Sequence, residues 1–236
     1  MISSLKYGLI VSCQAEDDDP FNSPEYIAAF ARAAEMGGAV GIRCEGYEKI
    51  RKVKERVKLP IIGLIKGKYA DDWVLITPDF GDVEKIIKAG ADIVALDATD
   101  RIRPNRLSGF DFLYEVRKRF DVPLLADVST FREGIKAAEL GADLVSTTLS
   151  GYTPYTTDKD TMLPDYDLIA ELSSSLDIPV VAEGRIWTPS DAIKALESGA
   201  YAVVVGTAIT RPRVITKMFV EALKSLKSSE DGIHFV

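Results

Sequence analysis

The 236-residue chain has one histidine, His234. That scarcity excludes a Ser-His or Cys-His nucleophile and leaves no basis for a histidine-ligated metal; His234 itself is expected on an exposed tail. Cysteine is nearly as rare. Cys13 and Cys44 cannot build a disulfide framework, and neither lies in a Cys-x-x-Cys pair. No apolar run approaches the roughly 20 residues of a membrane span, and the first residues lack the apolar stretch of a signal peptide, so a cytoplasmic protein is expected. An excess of positive charge is also missing. The net charge of −7 argues against general binding to nucleic acid or anionic lipid.

The chain does contain a repeated alternation. Gly-Ala-Asp-Ile-Val at 90–94, Gly-Ala-Asp-Leu-Val at 141–145 and Gly-Ala-Tyr-Ala-Val at 199–203, with Gly-Gly-Ala-Val at 37–40, each separate a helical pattern from an apolar run. The glycine suits a left-handed helix end, and the residues after it start a strand. Intervening runs open on Pro60, Pro123 and Pro179, where a missing strand-initial N–H costs little. Strands are predicted at 7–13, 39–43, 60–65, 93–97, 123–127, 144–149, 179–182 and 202–206. Helices are predicted at 23–36, 46–57, 82–89, 108–119, 130–140, 165–176, 188–198 and 213–227. Eight strands alternating with helices predict an α/β fold, a single (β/α)8 TIM barrel spanning 1–236 as one catalytic domain. The alternative is an open doubly wound sheet. Such sheets usually carry a Gly-rich loop after the first strand, and Cys13-Gln14-Ala15-Glu16-Asp17 has no glycine.

The apolar runs end on functional groups: Gln14, Arg43, Lys66, Asp97, Asp127, Thr147-Thr148 and Glu183. In a parallel barrel those ends form the active face. With Gln14 and Arg43 pointing inward, strand alternation turns both cysteines outward as buried thiols. Lys66 at a strand top is expected to be desolvated, which lowers its pKa toward the range of a general base; the competing reading is an ion pair with Asp97, Asp127 or Glu183. Glu183 leads into Gly184 and Arg185, and the last strand runs into Gly206 and Thr207, with Arg211 close behind. Loops after the last two barrel strands commonly bind phosphate through backbone N–H groups. A phosphorylated ligand is therefore predicted, held by Gly184, Arg185, Gly206, Thr207 and Arg211, unless the glycines only ease packing at the rim. A lysine and a carboxylate facing one sugar carbon suit proton abstraction beside a carbonyl. Gln14, Arg43, Asp127 and Thr147 are assigned to substrate oxygens, with a strand-tying polar network as the competing role. Asp97 reads at least as well as scaffold. Arg101 and Arg103 are expected to pair with acidic neighbours. The long connections 67–81 and 150–164 are read as substrate contacts or lids.

Taken together, Gly8–Ala15, Pro60–Lys66, Ala95–Thr99 with Arg101 and Arg103-Pro104, Ser146–Thr153, Ala182–Arg185 and Val203–Pro212 resemble the N-acetylmannosamine-6-phosphate 2-epimerase family. The resemblance implies inversion at C2 of an N-acetylhexosamine 6-phosphate, in amino-sugar and sialic acid catabolism, with no metal or redox cofactor. It places the family's catalytic lysine and glutamate on Lys66 and Glu183. Its sugar-contacting residues fall on Gln14, Arg43 and Asp127, and its phosphate-contacting arginine on Arg211. The chain departs from the family at Gly67, where many members have a basic residue, and at the acidic run 16–19. A homodimer is a possible assembly. The rival readings are a Schiff-base lyase acting through Lys66, a related barrel isomerase of pentulose phosphates, and a non-catalytic sugar-phosphate sensor.

Overall fold

The structure, a computed structural model, describes residues 1–15, 18–159 and 162–230, with side chains through 224. His234, Glu16 and Asp17 lie outside the described residues. Its core is a closed barrel of eight parallel strands: β1 (Leu9–Cys13), β2 (Gly41–Glu45), β3 (Ile61–Leu64), β6 (Ile93–Asp97), β7 (Leu124–Asp127), β8 (Leu144–Ser146), β9 (Val180–Glu183) and β10 (Ala202–Val205). Neighbours follow chain order, and β10 closes on β1 with Val11 opposite Val205. The remaining pair, β4 (Lys66–Lys68) and β5 (Val74–Ile76), forms an antiparallel hairpin on the rim.

Helices α1 (Pro24–Met36), α2 (Tyr47–Lys54), α3 (Phe80–Lys88), α4 (Gly109–Arg119), α5 (Phe131–Glu139), α6 (Tyr166–Ser175) and α7 (Pro189–Glu197) fill the crossovers. Two further helices, α8 (Thr207–Thr210) and α9 (Pro212–Glu230), follow β10. All the crossover helices but α2, which starts after Gly46, begin at a side-chain cap: Ser108, Thr130 and Thr188 form capping boxes with Asp111, Glu133 and Asp191, each contributing about 1 kcal/mol. Gly38, Gly90, Gly141 and Gly199 have φ of 91°, 95°, 97° and 104°, the left-handed turn expected at these helix ends.

Strand alternation divides the core. Ile10, Ile62, Leu64, Ile93, Ala95, Leu125, Leu144, Val181 and Val204 fill the barrel interior, and Leu5 plugs it from a 3-10 turn at Ile2–Leu5. Val11, Ile42, Val94, Leu96 and Leu124 pack outward against the helices, together with Cys13 and Cys44. Both thiols are buried as expected, and burial pushes Cys13 up to about 12.

Three elements differ from the sequence reading. The third strand stops at Leu64, so Lys66 begins the hairpin rather than ending a barrel strand. Thr77 secures that hairpin: its N–H donates to Ile65 O at 2.7 Å and its hydroxyl to Ala95 O at 2.6 Å. The sixth barrel strand ends at Ser146, three residues early, because the chain turns at Thr147. The chain after β10 first makes the one-turn α8, and only then the long α9.

Candidate active site

At the C-terminal ends of the barrel strands lies a cavity of about 410 Å³, a size suited to a small ligand. Gln14, Arg43, Lys66, Glu183, Gly184, Arg185, Gly206, Thr207 and Arg211 all line it. Two predicted contacts do not. Asp127 is fully buried behind Arg43, and its oxygens accept from Arg43 Nη1 at 2.9 Å and Nη2 at 2.7 Å. It stands in the structure as the counter-ion of Arg43, outside the cavity wall. Losing one partner of such a buried pair costs roughly 3–5 kcal/mol. Thr147 is also turned away: its hydroxyl accepts from Glu183 N–H and donates to Glu183 O, both at 3.1 Å, tying β8 to β9. Thr148 takes the place in the cavity wall.

Arg43 Nη1 also reaches Glu183 Oε2 at 2.9 Å, so one guanidinium holds both carboxyl groups. Burial raises the Glu183 pKa against the pull of Arg43, and Asp127 beyond the arginine raises it further. The Lys66 side chain opens onto the cavity and is reached by solvent. The surrounding protein nevertheless displaces enough water for desolvation to lower its pKa, with the charges of Arg211 and Arg43 acting in the same direction. Among the described residues, no carboxylate lies within salt-bridge distance of its ammonium, so the ion-pair reading does not hold. A base displaced toward its neutral form and an acid displaced toward its own neutral form thus share one cavity.

The phosphate-loop candidates divide by what they already hold. Gly184 has φ 111° and open space where a Cβ would sit, leaving its backbone accessible. Gly206 precedes α8, whose first N–H groups have no partner within the helix. The Arg185 guanidinium is engaged by the neighbouring connection after β8, donating to Ser150 O at 2.7 Å and Leu163 O at 2.6 Å. It thereby ties Ser150 and Leu163 to the loop after β9. Asp97 is scaffold: it accepts from Thr99 and from Arg101, whose Nη2 lies 2.7 Å away. Arg103 donates to the carbonyls of Asp97, Ile76, Thr77 and Pro78. Both arginines thereby brace the hairpin that begins at Lys66, because Arg101 also donates to Val74 O.

Sequence reasoning missed Ser12, Tyr152 and Trp187 in the cavity wall, and it named Thr148 beside Thr147 at a strand end but chose Thr147 as the contact. The signal for Thr148 was available. Leu144, Ser146 and Thr148 share one strand phase, and Leu144 faces the barrel interior, so a period of two selects Thr148 over Thr147. No comparable pattern marks Tyr152 or Trp187, which lie on loops.

The family model described as "Putative N-acetylmannosamine-6-phosphate epimerase" matches residues 27–225. The chain belongs to that family. A relative from Caldanaerobacter subterraneus is 51% identical over 230 residues, covering 97% of this chain and 96% of the relative. One from Clostridioides difficile is 46% identical over 224 residues, covering 95% and 99%. Both are named "Putative N-acetylmannosamine-6-phosphate 2-epimerase". Among solved structures, the N-acetylmannosamine-6-phosphate 2-epimerase from Clostridium perfringens is 45% identical, with a TM-score of 0.87 over 94% of this chain and 95% of that one. The part matched by the epimerase family model contains every cavity residue except Ser12 and Gln14.

Proposed function

We propose that the chain is an isomerase that inverts C2 reversibly between the 6-phosphates of N-acetylmannosamine and N-acetylglucosamine, in amino-sugar and sialic acid catabolism. The observation that carries this reading is Lys66 and Glu183 in one cavity, each displaced toward its neutral form. In the ring-opened sugar the C2 proton lies beside an aldehyde and is weakly acidic. Neutral Lys66 removes it, a proton drawn from solvent is delivered to the opposite face of the enolate, and Lys66 releases the one it took to solvent. Glu183 supplies the acid for ring opening: it gives its proton to the ring oxygen as the bond from that oxygen to C1 breaks, and the C1 hydroxyl passes its own proton to water, from which Glu183 is reprotonated. Arg185 and Arg211 bring positive charge to the cavity within a chain of net charge −7, which favours an anionic substrate. The phosphate is assigned to the backbone at Gly184, Gly206 and Thr207 with Arg211, and the sugar oxygens to Gln14 and Arg43. The inversion moves a proton and no net electrons, so it balances without a redox partner.

The test follows N-acetylmannosamine 6-phosphate in D2O by proton NMR. Wild type exchanges the C2 proton for deuterium as it epimerises, and Lys66→Ala loses turnover and exchange by about 100-fold or more. Undiminished exchange in Lys66→Ala would overturn the reading.

We further propose that the protein acts in the cytoplasm, as one catalytic unit per chain and as a homodimer. No helix among the described residues is long and apolar enough to cross a membrane. Support for the dimer comes from α9, which leaves Met218, Phe219 and Leu223 exposed along one face at helical spacing. Beside β10 and β1, an apolar groove of about 430 Å³ lined by Leu9, Ile193, Val203, Val205 and Ile209 stands open. A second copy would cover both surfaces.

A further inference from the structure

Thr148 stands between two carboxyl groups with one proton to give. Its Oγ1 lies 2.6 Å from Asp127 Oδ1, 3.0 Å from Glu183 Oε2 and 2.8 Å from Ser146 Oγ. A hydroxyl donates once, and an ionised carboxylate only accepts. Were both carboxyl groups ionised, Thr148 would satisfy one and turn a lone pair toward the other. Both contacts are hydrogen bonds only when Asp127 and Glu183 hold one proton between them. Arg43 decides where that proton sits. It donates to both oxygens of Asp127 but reaches only Oε2 of Glu183, so the negative charge belongs to Asp127 and the proton to Glu183. One guanidinium with one carboxylate also leaves this part of the cluster neutral, as burial favours.

We propose that Thr148 is a positioning residue that keeps Glu183 protonated, donating to Asp127 while accepting from Glu183, an inference resting on Glu183 as the acid. When the Glu183 O–H bond breaks and its proton passes to a substrate oxygen, the Thr148 hydroxyl rotates about Cβ–Oγ1 and donates to the new carboxylate. No bond of Thr148 is broken. A hydroxyl that donated to Glu183 would instead favour its carboxylate and lower its pKa. At rest, the shorter contact to Asp127 holds the hydroxyl proton. The other charged groups acting on Glu183 are Arg43 from β2, Lys66 from β4 and Asp127 from β7.

The experiment is a carbon-13 NMR titration of the substrate-free enzyme, labelled at glutamate side-chain carboxyls. The Glu183 signal is the one lost in Glu183→Gln. In wild type, Glu183 titrates above the ordinary glutamate range. Thr148→Val lowers that midpoint by about one pH unit, and Thr148→Ser restores it. A midpoint that is unmoved or raised in a folded Thr148→Val, or a wild-type Glu183 that titrates normally, overturns the proposal. If the valine variant does not fold, Thr148→Cys is read in its place, with a smaller downward shift expected and the same outcomes overturning. Because no substrate is present, failure of the epimerase assay and failure of this titration are separate results.

Discussion

Burial shifts Glu183 upward and Lys66 downward, each toward the protonation state that solution disfavours, and both stability and rate should report it. For Glu183 the sign follows from linkage. With a folded pKa above the unfolded value, the unfolded chain ionises first as pH rises. Stability therefore falls across that window and stays reduced above it. Glu183→Gln removes the ionisation; Arg43 and Thr148 both meet Glu183 at Oε2, so an amide oxygen placed there still accepts from Arg43 while the Thr148 hydroxyl keeps Asp127. The variant should melt at a higher temperature than wild type at neutral pH and show no such gain below pH of about 4, with epimerase activity strongly reduced. Calorimetry at the two pH values checks this. The pH profile of kcat/KM should rise as Lys66 sheds its proton and fall as Glu183 loses its own. Lys66→Ala should abolish the first dependence.

The catalytic lysine candidate stands on an element of its own, the β4–β5 hairpin, which has no place in the eight-strand repeat. Its hold on the barrel comes from Thr77 and from the buried Arg103, whose guanidinium also stacks 3.9 Å from the Phe112 ring. Arg103→Met should keep the stem packing and release the carbonyls of 76–78. Amide exchange at 66–68 and 74–76 should then quicken, and kcat should drop roughly 10- to 100-fold with a smaller change in KM. A uniform rise in exchange over the whole barrel would instead mean simple destabilisation. Helix starts are more independent. Thr130→Ala removes one capping box from α5 and should lower unfolding free energy by about 1 kcal/mol without altering the pH profile.

At the scale of the molecule, the seam between β10 and β1 is unlike the others, because α9 follows the short α8 and keeps its apolar face in solvent. Arg213 at its start pairs with Asp18 at 2.8 Å, tying the helix to the loop after β1. Burying Phe219, Leu223 and Met218 against a second copy would contribute about 1.5–3 kcal/mol for each large side chain. Sedimentation equilibrium should give twice the 25.8 kDa of one chain. Phe219→Asp and Ile193→Asp should each shift the protein toward monomer. A wild-type monomer at all concentrations would refute the dimer.

The barrel was legible in the chain because its signals are local and repeat: a glycine after every second helix, a proline opening the runs between, and an inward residue every second position. Gln14, Arg43 and Glu183 followed from the same period of two. What only the tertiary structure decided depends on depth and direction at the strand tops. Asp97, Asp127 and Glu183 look alike as carboxylates ending apolar runs, yet Arg101 claims the first, Arg43 buries the second, and the third faces the cavity. Thr147 and Thr148 differ only in which way a turn throws each hydroxyl. The period of two fixes which face a residue occupies, because each strand imposes it from its own backbone. Which partner reaches that residue first depends on neighbouring strands and on loops far away in sequence, and closure of the barrel alone brings them together.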